Sequence, residues 1–227
     1  VTVELFVRWF LAAYFTGVAG FYTITIVRKR RRSGGTSPVH RGAPGSLHAR
    51  VHLAFVCFRA AIWGVAVGRL AFPPLDDRLI PIAPLWRPPV LLTGAGLLLL
   101  AFVAVVLVHA TMGHRWRSGI EPAGPHRLIT RGAFALTRNP TFIAIQVGQL
   151  GLFLALPTVF TLVCLIVGLV AIHLQVRLEE AHLAARFGAA YDAYRRRVPR
   201  WLWPLPRRQA QVADRGSAAG AGRKPAS

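Results

Sequence analysis

Acidic side chains are scarce in this chain: 8 Asp and Glu stand against 28 Lys and Arg in 227 residues, a formal net charge of +20. Charge of either sign is sparse, at 16% of residues against roughly 25% in a soluble domain. Cysteine is nearly missing. Cys57 and Cys164 both lie inside apolar runs, which excludes a disulfide framework and a Cys-x-x-Cys metal site and predicts two buried, inert thiols. No metal site is expected from the eight His, since His109 and His114 are five residues apart and share no helix face. No Ser/His/Asp arrangement stands out either. Gly94-Ala95-Gly96 lacks the third Gly and the following acid of a dinucleotide loop. The basic residues are spread between apolar runs rather than gathered on one face, which argues against nucleic acid as a partner. No cleavable leader is expected, because the first apolar run has no basic stretch before it and carries one after it.

What is abundant is apolar sequence: 54% of residues are hydrophobic and the mean hydropathy is +0.45. The runs are residues 5–27, 51–72 and 90–110, followed by a longer stretch over 140–176 interrupted by Pro157. At helical rise the first is about 34 Å, enough to cross a hydrocarbon core with tilt. Pro157 predicts a helical hairpin bent at Leu156-Pro157, whose first arm, about 24 Å long, is short for a full crossing. The fold class expected is therefore all-α, a polytopic membrane bundle of about five transmembrane helices ending in a helical hairpin. A cytosolic amphipathic helix over 177–198 follows. Residues 1–204 read as one membrane domain, its polar functional part in 111–204, and the Arg/Ala/Gly/Ser-rich residues 205–227 as a disordered basic tail.

Lys and Arg fix the orientation. Seven lie between the first two runs, five after the third run and eleven after residue 176, but only two after the second run and none at the hairpin bend. Five crossings put all three rich segments on one side, with the N-terminus outside and the C-terminus cytoplasmic. The Arg- and Ala-rich composition points to a bacterial inner membrane. Arg8 and Arg69 near run ends are expected to snorkel. Arg59, about 12 Å into its run, is an intramembrane cation and by default a candidate substrate residue. Gly64-x-x-x-Gly68 and Ala144-x-x-x-Gly148 are close-packing signals between helices.

The unusual polar residues fall in two cytosolic pieces on either side of the hairpin. The first contains His126-Arg127-Leu128-Ile129, Gly132-Ala133-Phe134 and Arg138-Asn139-Pro140-Thr141-Phe142. The second contains Gln175, Glu179-Glu180, Phe187-Gly188, Tyr191, Tyr194 and Val198-Pro199. Each has an ordinary reading: Arg138-Asn139-Pro140 as the anchored, capped start of a helix, Glu179-Glu180 as charge at a helix end, Tyr191 and Tyr194 as interface anchors. In this order, with a hairpin between, they resemble the isoprenylcysteine carboxyl methyltransferase and phospholipid methyltransferase superfamily. The resemblance covers residues 126–199, about a third of the chain.

That resemblance implies a membrane enzyme using S-adenosylmethionine, with cofactor contacts at His126, Arg127, Leu128, Ile129, Phe134, Asn139, Pro140, Thr141, Phe142 and Glu179. Gln175 occupies the position of a substrate-contacting Arg. Asn139 stands where the family has His, and Phe134 and Phe142 where it has Tyr. The implied acceptor is lipophilic, a carboxylate of an isoprenoid- or lipid-like molecule entering from the bilayer. A phospholipid amine acceptor and a superfamily member that has lost cofactor binding are the alternatives. No obligate protein partner is inferred.

Chemistry alone asks for the same parts. A sulfonium, ammonium and carboxylate want an anion, for which Glu179 or Glu180 is the candidate, and a cation, for which Arg138 is the candidate. Arg138 and Glu180 are thus the expected catalytic pair. Phe134 or Phe142 supplies an apolar wall for adenine. A carboxylate nucleophile is ionised at neutral pH and needs no base, whereas an amine needs one, with His126 or a Glu as candidate. Arg59 and Gln175 are the candidate acceptor contacts.

Overall fold

The computed structural model describes residues 2–32, 39–40, 42–112 and 127–202. The chain is helical: α1 (Val3–Arg32), α2 (Leu47–Ala71), the short α3 (Leu75–Arg78), α4 (Pro88–Met112), α5 (Pro140–Ala155), α6 (Val159–Phe187) and α7 (Ala189–Arg197). Four of these, α1, α2, α4 and α6, are long and apolar enough to cross a membrane, and α5 is a shorter apolar helix of 16 residues. The protein is an integral membrane bundle with the hairpin read from the sequence. Residues 203–227, including the expected tail, lie outside the described residues, as does His126.

The hairpin turn follows from three residues. Pro157 cannot continue α5 and drives Leu156 out of helical geometry. Thr158 and Thr161 then form a reciprocal capping box that starts α6, each side chain accepting from the other's backbone N–H at 3.2 Å. The loop after α3 docks on this turn, with Ile82 N–H donating to Pro157 O at 2.8 Å and Val159 N–H to Ile80 O at 2.9 Å.

The helices close a ring. α1 packs on α2, α2 on α6, α6 on α5, α5 on α4 and α4 on α1, with a cavity between them. The tightest seam is α4 on α5, and its cause is Gly94 against Gly151. A Cβ on Gly94 falls 2.6 Å from Gly151 O and onto the Ala155 backbone, and one on Gly151 falls 2.9 Å from Leu98 N. Small residues let helices approach where apolar burial alone gives no drive. Gly148 joins the seam, with a Cβ there 3.3 Å from Ala101 Cβ. The expected Gly64/Gly68 contact is not made: Gly64 has open space beside it and Gly68 meets only Leu75. Gly94→Ala is expected to lower bundle stability by about 1–3 kcal/mol by forcing the two backbones apart, read as a fall in thermal midpoint in detergent. Gly64→Ala is the silent control.

Arg8 and Arg69 do not snorkel. The Pro73-Pro74 turn carries Asp76 back against the end of α2, where its carboxylate accepts from Arg8 Nη2 at 2.6 Å and from Arg69 Nε and Nη2. Arg69 is 3% exposed, so its guanidinium is paired there rather than hydrated. Cys164 is buried as expected, but Cys57 lies on the exposed face of α2 with Leu53 and Val56.

No break occurs at residue 176 where an amphipathic helix was expected to begin. α6 runs on to Phe187, about 43 Å in all, and the break comes at Gly188, whose φ of 47° suits glycine. Because the hydrocarbon core is about 30 Å thick, α6 carries Glu179 and Glu180, some 30 Å from Val159 at helical rise, to the polar boundary on the α1 C-terminal side.

Candidate functional site

α7 and the strap behind it, residues 198–200, tie down the chain entering α5. Tyr194 Oη donates to Phe134 O at 2.7 Å, Thr137 Oγ1 to Arg200 O at 2.8 Å, and Arg138 N–H to Pro199 O at 2.9 Å. Tyr191, Tyr194 and Val198 form a small core with Leu128 and Phe187 against them. Burial, then the neighbouring Tyr191, pushes the Tyr194 phenol up to about 12, and burial, then the Glu180 charge, does the same for Tyr191. Both phenols stay protonated at neutral pH.

At the centre of this cap is Glu180, buried among donors. Arg138 reaches it through Nε at 3.2 Å and Nη2 at 3.1 Å, Arg200 through Nε at 3.1 Å and Nη2 at 2.9 Å, and Asn139 through Nδ2 at 3.0 Å. Glu180 in turn holds the Arg200 guanidinium above its ordinary pKa. Arg138 Nη1 caps the end of α7, donating to the Arg195 and Val198 carbonyls at 3.1 Å. Asn139 Nδ2 also meets Arg200 O at 3.3 Å. Arg138 and Glu180, the expected catalytic pair, are therefore bound chiefly to each other and to the cap.

The adjacent acid points elsewhere. One residue along a helix turns by about 100°, and Glu179 faces the interior of the ring, where Gln175 Nε2 donates to its Oε1 at 2.8 Å. The interior there is a cavity of about 420 Å³, within the range of ligand pockets. Its polar end is lined by Arg138, Asn139, Gln175, Glu179 and the imidazole-bearing start of α2, His48 and His52. Phe134, Pro140, Thr141 and Phe142 also line it, so most of the expected cofactor contacts meet at this end. Deeper in, the walls become apolar, with Phe15, Phe55, Ile62, Phe102, Leu152 and Leu165.

Some expected residues are not there. Arg127, Leu128 and Ile129 do not line the cavity, and Leu128 instead packs under Tyr191 and Tyr194. Arg59 and Gln175, the expected acceptor contacts, do line it. Arg200, His48, His52, Tyr22 and His109 were not singled out from the sequence. His48 and His52 carried a signal, since a spacing of four puts both on one helix face. Arg200 carried none beyond standing next to Val198-Pro199.

Compared with known families, residues 90–190 match the model of the phospholipid methyltransferase family. No curated protein and no solved structure matches the chain. The matched region holds α4, α5, α6 and the loop with Arg138 and Asn139, and leaves out α1, α2 and Arg200.

Proposed function

With residues 90–190 a phospholipid methyltransferase region of the isoprenylcysteine and phospholipid methyltransferase superfamily, we propose that this chain is an S-adenosylmethionine-dependent methyltransferase of the membrane whose acceptor is a lipophilic molecule bearing a carboxylate. The observation that carries the reading is the pair Glu179 and Glu180. One locks the loop of Arg138 and Asn139 to the C-terminal cap, and the other stands in the cavity beneath them.

The residues fit the cofactor's chemistry. A positively charged donor wants a carboxylate in a cavity with an apolar wall, and Glu179 with Phe134 and Phe142 provides both. When bound, S-adenosylmethionine supplies a methyl on a cationic sulfur, which a nucleophile takes while the C–S electron pair returns to sulfur. The chain's own contribution is position and exclusion. Gln175 holds the Glu179 carboxylate in one orientation, Glu180 through Arg138 and Asn139 holds the cavity roof, and the apolar depth strips water from an acceptor carboxylate, which needs no base.

The basic turn at the end of α1, the start of α2 and the cap all belong to the same end of the ring. Together with the distribution of Lys and Arg this supports a bacterial inner-membrane topology with the N-terminus outside and the cap cytoplasmic, where the soluble donor is found.

Calorimetry on purified protein is expected to give micromolar-range binding of S-adenosylmethionine, with competition by its demethylated product. Heat from neither would instead identify a member that has lost the cofactor. Labelled cofactor incubated with native membranes is then expected to leave a base-labile methyl on a lipid, the mark of an ester. A base-stable label would point to an amine acceptor instead.

A further inference from the structure

Three arginines lie within the apolar runs, and the chain treats one of them differently. Arg8 and Arg69 share Asp76. Arg59 has no hydrogen bond and no ion pair among the described residues, although it stands about 18 Å along α2 from Leu47, near the middle of the membrane. A guanidinium at that depth is costly without an anion or a wet cavity. It lines the cavity, within electrostatic reach of Tyr22. Described carboxylates do not reach it: Glu4 accepts from Trp86, Asp76 from Arg8 and Arg69, Glu179 from Gln175, Glu180 from Arg138 and Arg200, Asp192 pairs with Arg195, and Asp77 is exposed on the short α3.

The placement on α2 is regular. His48, His52, Phe55, Arg59 and Ile62 follow the i, i+4, i+7, i+11, i+14 spacing of one helix face, and all line the cavity. This face lies outside the matched family region. We infer that Arg59 is the counter-ion for an oxyanion, carboxylate or phosphate, that the lipophilic acceptor carries apart from the group that is methylated. The inference rests on the proposed methyltransferase reading for the word acceptor, but not for the binding itself. The occupant is not the methyl donor. The donor's end of the cavity is marked by Glu179 with His48 close to it, and Arg59 is eleven residues further along α2, about 16 Å deeper.

The test uses the full chain in zwitterionic nanodiscs and probes of one tail length: a long-chain fatty acid, the matching alkyl phosphate and the matching alcohol. The two oxyanions are expected to raise the thermal midpoint by about 5 °C or more at a hundredfold excess over Kd, and the alcohol to do far less. In Arg59→Gln that preference is expected to vanish, and in Arg59→Lys to persist in part. Equal response to all three probes in the wild type, or an undiminished preference in Arg59→Gln, overturns the inference. If Arg59→Gln does not fold, the wild-type comparison of acid with alcohol and the Arg59→Lys variant still decide it. With labelled cofactor, kcat/KM for the acceptor is expected to fall at least tenfold in Arg59→Gln while the affinity for S-adenosylmethionine stays within twofold. A loss of that affinity instead would assign the oxyanion to the donor and overturn the inference. Absence of all methyl transfer in the wild type would sink the proposed function, and the probe binding would still judge Arg59.

Discussion

Glu180→Ala is expected to release the C-terminal cap and abolish cofactor binding while the five-helix ring stays folded. The substitution removes the acceptor for Arg138, Arg200 and Asn139 together and leaves the buried Arg138 guanidinium facing the half-exposed one of Arg200. Breaking a buried ion pair by removing one partner costs about 3–5 kcal/mol. The ring helices make their contacts with one another, and the cap touches the ring mainly through α6 and the 132–139 loop. The loss therefore falls on the cap. Hydrogen exchange should rise across residues 189–200 and not across α4 or α5, and calorimetric binding of S-adenosylmethionine should disappear. Arg200→Ala should do less, because its side chain is 35% exposed and Arg138 remains paired without it. Wild-type protection of residues 189–200 in Glu180→Ala would show that the clamp is dispensable.

That prediction rests on contacts the sequence did not reveal. Long-period features were legible: apolar length gave the membrane helices and Pro157 gave the hairpin. These signals are local or summed over many residues, so no tertiary knowledge is needed to read them. Pairing across long separations was not legible. Asp76 meeting Arg8 depends on how a Pro-Pro turn redirects a short helix, 68 residues further along the chain. The Gly94/Gly151 seam was invisible for the same reason, while the more conspicuous Gly64-x-x-x-Gly68 spacing meets no other long helix, only Leu75 of the short α3.

Within the site, residue type was readable but direction was not. Both Glu179 and Glu180 were candidates for one role, since sequence alone leaves the rotation of α6 open. In the fold, 100° of rotation separates a structural carboxylate from one that faces ligand space. The same rotation explains Arg138. It lines the cavity, but its donors are taken by Glu180 and by the end of α7, so it holds the roof rather than reaching into the cavity. Among the described residues lining the cavity, the arginine without such a partner is Arg59, on a helix the family region does not include.

The division of labour between the two acids sets the largest binding effect expected here. Glu179→Gln is expected to weaken S-adenosylmethionine binding by about a hundredfold or more, some 2.7 kcal/mol or above, with the thermal midpoint little changed. The new amide keeps an oxygen that accepts from Gln175 Nε2, so the local hydrogen bond survives and no buried donor is stranded. What is lost is the negative charge facing the cavity beside Phe142 and Asn139, and a charge pair in a water-poor site is worth far more than its isosteric hydrogen bond. Glu180→Gln supplies the contrast, since it weakens the cap as well as binding and so lowers protection of residues 189–200. Calorimetry and hydrogen exchange on the two variants therefore separate charge recognition from roof support. Equal cofactor affinity in Glu179→Gln and wild type would remove Glu179 from the donor site, and the cavity's apolar depth and Arg59 would then have to be explained by a ligand other than a methyl donor and its acceptor.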